Sequence, residues 1–404
     1  MAEPTASRPV ASIRLALACS VVAAAFAFAA CAGSGSTTSS LPSATPSGGA
    51  SSGASQQHVL VWKFKTGAAV RSSPAVSTGV VYVGSDDGCL YAVDVQSGQK
   101  KWEFKTGGKV RGSPAVAGAS VYFRGGDGIL YAVDIQSGQR RWKFTPSLPV
   151  VSSPAVADGA VYVATSKGPD MSHFPDPDAG GYLYALDSRS GRQRWKLSTG
   201  FDVTVSSVCP TSPAVSGGLV YFGRFSLEAF DAKTGEQQWM CKGAQRGAFR
   251  ATPAVSQGAV YFRVTGYFGG ITAAGTHRGM QRWFFDTGKE KPGEMVITSP
   301  VVSHGVVYCA SSDGRLLAVD GQNGTEEWRS GPGLAGHFSS PAVAGPEVPE
   351  VYVGSDDGIL HALHVITGNE TWQFSTGAGR LSSPAVSNGV VYVGSDDGYL
   401  YAVK

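Results

Sequence analysis

The chain has 404 residues, of which 16% are charged and 10% aromatic, with 54 glycines and 22 prolines; that balance suits a turn-rich all-β protein. With 33 basic against 30 acidic residues the formal charge is +3, which gives no electrostatic case for nucleic acid or any other polyanion as a partner.

At the N-terminus, Arg8 and Arg14 precede an apolar run from Leu15 to Ala30, and Cys31 comes directly after it. A basic start, a short apolar core and small residues before a cut describe a secretory signal over residues 1–30. With Cys31 directly after Ala29-Ala30, the segment resembles a bacterial lipoprotein signal. That resemblance implies lipid attachment at Cys31 and an extracytoplasmic protein anchored to a bacterial membrane, at the cell surface or in the periplasm. Residues 31–57 form a Ser/Thr/Gly-rich tether whose only large apolar side chain is Leu41. Such a stretch buries too little surface to offset its ordering entropy, and its expected reach is about 30 Å. Gly49-Ala50-Ser51-Ser52-Gly53 fits the hydrolase pattern G-x-S-x-G, but it has neither a strand before it nor a helix after it, so it carries no chemistry.

From residue 58 onward the chain is periodic. Trp62, Trp102, Trp142, Trp195, Trp239, Trp283, Trp328 and Trp372 stand 40 to 53 residues apart. An S-P-A-V-like element accompanies them, with prolines at 74, 114, 154, 213, 253, 300, 341 and 384. A period near 43 residues is the length of a four-stranded propeller blade, so residues 58–404 read as an eight-bladed β-propeller. In the first unit, strand A contains Ser73-Pro74-Ala75-Val76, strand B spans Val80–Val83, strand C Leu90–Asp94, and strand D Lys101–Lys105. The octapeptide VYVGSDDG, at 81–88, 351–358 and 391–398, is strand B with its turn, and Asp-Gly marks the hairpin. The lone strand His58–Lys65 precedes the first unit, and the last unit stops after three strands. The N-terminal strand is therefore expected to complete the last blade and close the ring.

The C–D connection carries Ala92-x-Asp94-x-x-x-Gly98-x-x-x-Trp102, repeated at 132–142, 185–195, 229–239 and 318–328. Asp suits an Asx-turn, Gly a left-handed position, and Trp offers a broad face for packing between blades. This signature resembles the tryptophan-docking repeat of the pyrroloquinoline quinone (PQQ) propeller family over the whole of residues 58–404. The resemblance implies one of two roles. One branch, the quinoprotein dehydrogenases, holds PQQ and Ca²⁺; the other, the outer-membrane assembly factor BamB, is a lipoprotein that binds partners without chemistry.

The dehydrogenase branch has adjacent cysteines beside its cofactor, whereas none of the cysteines here are neighbours, and every tryptophan already serves blade docking. No cofactor is therefore expected. Cys89 and Cys309 fall on strands as small buried thiols. Cys209 and Cys241 could pair in an oxidising compartment, although strands A and D of one blade lie about 14 Å apart. His361 and His364 fall on opposite faces of one strand, which is poor for shared metal ligation, and no metal site is expected.

Departures from the repeat point to the rim formed by the B–C and D–A loops. The third repeat enlarges its B–C loop over 166–181, and long D–A loops occur at 200–209 and 289–295. The fifth repeat replaces strand C with a stretch that opens on Gly266–Ile271. Recognition on a rigid scaffold normally resides in such loops, and Phe174, Tyr267 and Phe268 are the candidate aromatic contacts. Asp170, Asp176 and Asp178 lie among prolines without EF-hand spacing. On the same side, Arg71, Arg111 and Arg250 stand three residues before the strand-A proline, and Arg380 stands four before it. They either surround the channel mouth, where guanidinium groups suit an anionic ligand, or pair with the Asp-rich turns. The expected function is a monomeric, non-catalytic, protein-binding scaffold. A small-ligand sensor for an anion and a PQQ-dependent oxidoreductase are the alternatives.

Overall fold

The computed structural model describes residues 59–166, 181–199, 211–223, 226–241, 247–249, 251–266, 269–288, 298–311, 313–331, 338–345, 349–377 and 379–404. The expected signal and tether with Cys31, the three long loops, and Phe174, Cys209, Arg250, Tyr267 and Phe268 lie outside these residues.

Eight antiparallel sheets form the blades. Blade I contains strands Ala75–Ser77, Val80–Gly84, Cys89–Asp94 and Lys100–Lys105, here A to D in order. Blades II, III and IV span 115–144, 155–198 and 214–241; V to VII span 247–288, 301–329 and 342–375. Strand A starts one residue after the proline, because proline has no N–H for the ladder. Strand B of blade I is buried along its whole length, and in the other blades all of its described residues but an end one at most are buried, since neighbouring blades cover both of its faces. Strand D alternates exposed and covered side chains as the outer strand must.

One row of side chains crosses each blade. In blade I it runs Ala75, Tyr82, Ala92, Trp102 by direct register, so small and large residues alternate. A one-residue irregularity after Ala92 turns the C–D ladder beside Trp102, and the same step recurs after Ala132, Ala185, Ala229, Ala273, Ala318 and Ala362. The hydrophobic core is correspondingly divided, with one cluster between each pair of adjacent blades. One joins Tyr82, Leu90 and Trp102 of blade I to Val121, Phe123 and Val133 of blade II.

The ring closes. Inner A strands of consecutive blades touch all the way round, including Ala385–Ser387 of blade VIII against Ala75–Ser77 of blade I. Blade VIII takes Leu60–Lys65 as its outermost strand, paired with Tyr399–Val403, and Val59 and Lys404 exchange backbone hydrogen bonds of 2.8 and 3.1 Å. The last blade is thereby completed to four strands and the ring has no open end.

Blade V corrects the sequence reading. Its strand C is not replaced: Gly269–Gly275 pairs with Ala259–Gly266 on one side and Gln281–Gly288 on the other. The ladder uses backbone groups, so a Gly-rich stretch without the Leu-x-Ala-x-Asp pattern still forms it. Gly270 is required there, because a Cβ would lie 2.6 Å from the backbone carbonyl oxygen of Phe285. Strands B to D of this blade extend toward the rim, and an extra strand, Gly247–Phe249, pairs with the extension of strand B, so the sheet has five strands rather than four.

Candidate functional site

The tryptophans lock neighbouring blades by one rule. Trp102 Nε1 donates to the carbonyl of Ile135 on the C–D turn of the next blade, and Tyr82 donates to the same oxygen. Trp62, Trp142, Trp195, Trp239, Trp283 and Trp328 repeat the bond to Val95, Ser188, Ala232, Thr276, Gly321 and Val365 at 2.6–3.1 Å. Each ring lies on the turn glycine of that next blade. At Gly138, with φ +69°, a Cβ would sit 2.6 Å from the Trp102 ring.

Trp372 departs from the rule. Its blade faces the seam, where strands C and D of blade VIII come from distant parts of the chain and no continuous C–D turn joins them. Trp372 Nε1 donates instead to Glu350 of its own blade, at 3.1 Å. Tyr352 and Thr371 donate to the same carboxylate at 3.0 and 2.6 Å.

The two aspartates of the repeated octapeptide have separate roles. The second closes the hairpin: Asp87 accepts from the Cys89 N–H and from the Tyr91 hydroxyl, and Asp397 does the same for Tyr399 and Tyr401. The first reaches across a blade interface to an arginine. Arg71 forms a bidentate pair with Asp396 at 2.7 and 3.1 Å, bridging blades I and VIII. Arg111 forms one with Asp86 at 2.8 and 2.7 Å, bridging II and I. Arg380 reaches Asp356 through one contact of 3.3 Å, bridging VIII and VII. The hydrogen bond from Arg111 holds the Asp86 carboxyl below its usual range against the opposing effect of burial, and Asp86 in turn raises Arg111. Hydrogen bonding to Asp396 raises Arg71 likewise.

Arg380 differs because its segment is shifted by one residue. Val70 and Val110 are the buried residues just before Arg71 and Arg111, whereas Leu381, just after Arg380, fills that place in blade VIII. The side chain of Arg380 is 63% exposed, against 43% and 42% for Arg71 and Arg111. All three arginines line one cavity of about 340 Å³ at the channel mouth, with Ser73, Ser340 and Ser383.

These serines belong to a ring of hydroxyls that sequence reasoning missed. In six of the eight blades, the residue before the strand-A proline sends its backbone N–H to the hydroxyl oxygen of its counterpart in the next blade. Ser73 bonds to Ser113, Ser113 to Ser153 and Ser153 to Ser212, at 3.3, 3.0 and 3.0 Å. Thr252 continues to Ser299, Ser299 to Ser340 and Ser340 to Ser383, at 3.0, 2.9 and 3.1 Å. The signal was present, since a Ser or Thr stands before all eight prolines.

Cys89, Cys241 and Cys309 are buried, and burial pushes the Cys309 thiol up to about 11. Cys209, the partner considered for Cys241, lies outside the described residues. His361 is buried, with Nδ1 2.6 Å from Glu370 Oε1, while His364 serves its turn as the usual Asp does, accepting from the Ile366 N–H. Among the described residues no group of three or more His, Cys, Asp and Glu is placed to hold a metal ion.

The family model described as "Outer membrane protein assembly factor BamB" matches residues 54–239 and 223–403. An assembly factor of that name from Moranella endobia is 24% identical over 221 residues, which cover 50% of this chain and 52% of that protein. The chain thus spans about half the length of this curated relative. Among solved structures, BamB from Moraxella catarrhalis matches with a TM-score of 0.68 at 19% identity, covering 86% of this chain and 99% of that one. The quinohemoprotein alcohol dehydrogenase from Comamonas testosteroni matches with 0.69 at 15% identity, covering 86% and 76%. At these identities both structures are alike in fold.

Proposed function

This chain belongs to the family of the outer membrane protein assembly factor BamB, and from that premise we propose that it is a non-catalytic scaffold that binds a protein partner on the B–C/D–A rim. The observation that carries the reading is how the recurring polar and aromatic residues are used. The tryptophans dock blades, the second aspartates close turns, and Arg71 and Arg111 are consumed in bidentate pairs with Asp396 and Asp86. What varies from blade to blade is the rim, where blade V extends its strands and gains one more.

The described residues at the channel mouth do not fit PQQ. A planar tricarboxylate needs several uncompensated cations and an aromatic face, but among the described residues Arg71 and Arg111 are neutralised by carboxylates. Phe338, the one aromatic residue lining the cavity, is only 3% exposed, and the tryptophans lie between blades. The proposed scaffold works extracytoplasmically, anchored to a bacterial membrane through a lipid on Cys31, as a monomer and without nucleic acid.

Photo-crosslinking in cells tests the rim. Probes replacing Lys105 or Asp127 are expected to trap one dominant protein, and probes replacing Gln96 or Gln136 on the opposite rim to trap none. Equal trapping from both rims removes the assignment. Titration of the purified chain with PQQ and Ca²⁺ is expected to give no saturable absorbance change and no alcohol-dependent dye reduction; turnover overturns the non-catalytic reading. Cys31→Ser is expected to release the protein from the membrane fraction.

A further inference from the structure

The mouth cavity contains three arginines in two different states. Arg71 and Arg111 each commit two nitrogens to one carboxylate, and Lys109 adds a further 3.5 Å contact to Asp86. Arg380 approaches Asp356 with its Nε at 3.3 Å and lacks the bidentate hydrogen bonds of the other two, and among the described residues its two terminal nitrogens have no hydrogen-bond acceptor. Beside it in the same cavity, Ser340 Oγ accepts from the Ser299 N–H and Ser383 Oγ from the Ser340 N–H. A hydroxyl that accepts still has one hydrogen to donate. No acceptor within the described residues takes that hydrogen from Ser340 or Ser383, and both line the cavity. A forked cation and two spare hydroxyl donors therefore meet in a space of about 340 Å³ whose other arginines are already compensated.

We infer that this cavity binds a single carboxylate group, with the Arg380 guanidinium as its principal contact and the Ser340 and Ser383 hydroxyls as additional donors. A forked guanidinium matches a carboxylate with two parallel hydrogen bonds, which a lysine in its place would not reproduce. Arg71 and Arg111 are clamps between blades and not ligand residues. The carboxylate comes either from a free small acid or from the C-terminus of a partner chain. Only the second source rests on the scaffold reading.

The full chain, titrated calorimetrically with acetate, with trialanine and with C-terminally amidated trialanine, decides between these sources. Saturable binding of trialanine in preference to acetate, with none of the amide, identifies a peptide terminus; equal binding of acetate and trialanine identifies a free carboxylate. Arg380→Gln is expected to weaken whichever binds by about tenfold or more, the equivalent of one charge-assisted hydrogen bond, with an unchanged melting temperature. Arg380→Lys is expected to lose most of the same affinity. Arg71→Gln is expected to lower the melting temperature while keeping the affinity within about twofold. Binding of the amide as tight as that of the acid overturns the inference, as does full affinity in Arg380→Gln or no binding of any probe. Those failures leave the rim crosslinks, and with them the scaffold reading, untouched.

Discussion

Asp94, Asp134 and Asp187 each close a C–D turn by accepting two backbone N–H groups, as from Gln136 and Ser137 on Asp134. The N–H of Ser97 is the main reason that the Asp94 carboxyl titrates at about 2 rather than its usual 3.8. Asp134 and Asp187 lie lower still, chiefly because Arg141 and Arg194 donate to them. A carboxylate depressed in the folded state adds stability that is fully present above its unfolded value and lost as pH falls through the folded one. The melting temperature is therefore expected to hold steady down to about pH 4 and to fall steeply toward pH 2. Asp134→Asn is expected to cost about 1 kcal/mol at pH 7 and progressively less as the pH falls from about 4 toward 2, which melting curves across that range would show. The role of these aspartates was legible because an Asx-turn is local. The Arg71–Asp396 pair spans 325 residues, so composition and spacing offered Arg71 only a choice between ligand and clamp.

At the scale of the element, each blade must present the same side-chain row to its neighbour, and that requirement wrote the repeat into the sequence. The turn glycine is the strictest part of it. Gly138→Ala adds left-handed strain to a methyl placed 2.6 Å from the Trp102 ring, so it is expected to cost about 2–4 kcal/mol. Gly79→Ala, at φ +75° with nothing within 4 Å, carries the strain alone and is expected to cost about 1–2 kcal/mol. Denaturant midpoints of the two variants separate steric from conformational cost, and equal losses would show that tryptophan docking is not what fixes the glycine. Strand C of blade V was illegible for the opposite reason. Its Gly-Gly-Ile-Thr-Ala-Ala-Gly keeps Ile271 and Ala273 in the places of Leu90 and Ala92 but has Thr272, Ala274 and Gly275 where Tyr91, Val93 and Asp94 stand, yet its ladder is complete because backbone groups make it.

Across the whole molecule, seven interfaces obey the tryptophan rule and the seam between blades VII and VIII uses Glu350 in its place. The reason is topological: the turn that would carry the acceptor carbonyl and the glycine joins two consecutive strands everywhere but at the seam. Lys404 stands in the register of Asp94 and Val59 in that of Gln99, which makes the seam repairable. A circular permutant can join residue 404, changed to Asp, to Val59 through Val-Gln-Ser-Gly, the residues at 95–98, with its new break in the turn at Gly217 and Gly218. In the natural order, Glu350→Ala removes the acceptor of Trp372 and Tyr352 and is expected to cost about 1–3 kcal/mol, with a red-shifted tryptophan emission. In the permutant the new turn offers Trp372 a carbonyl and a glycine, and the same substitution is expected to cost less than about 0.5 kcal/mol. A second permutant joined by a Gly/Ser linker of equal length lacks the turn motif and is expected to keep the full loss. If all three chains lose the same amount, Glu350 stabilises blade VII by itself, and the seam is not where the docking rule was interrupted.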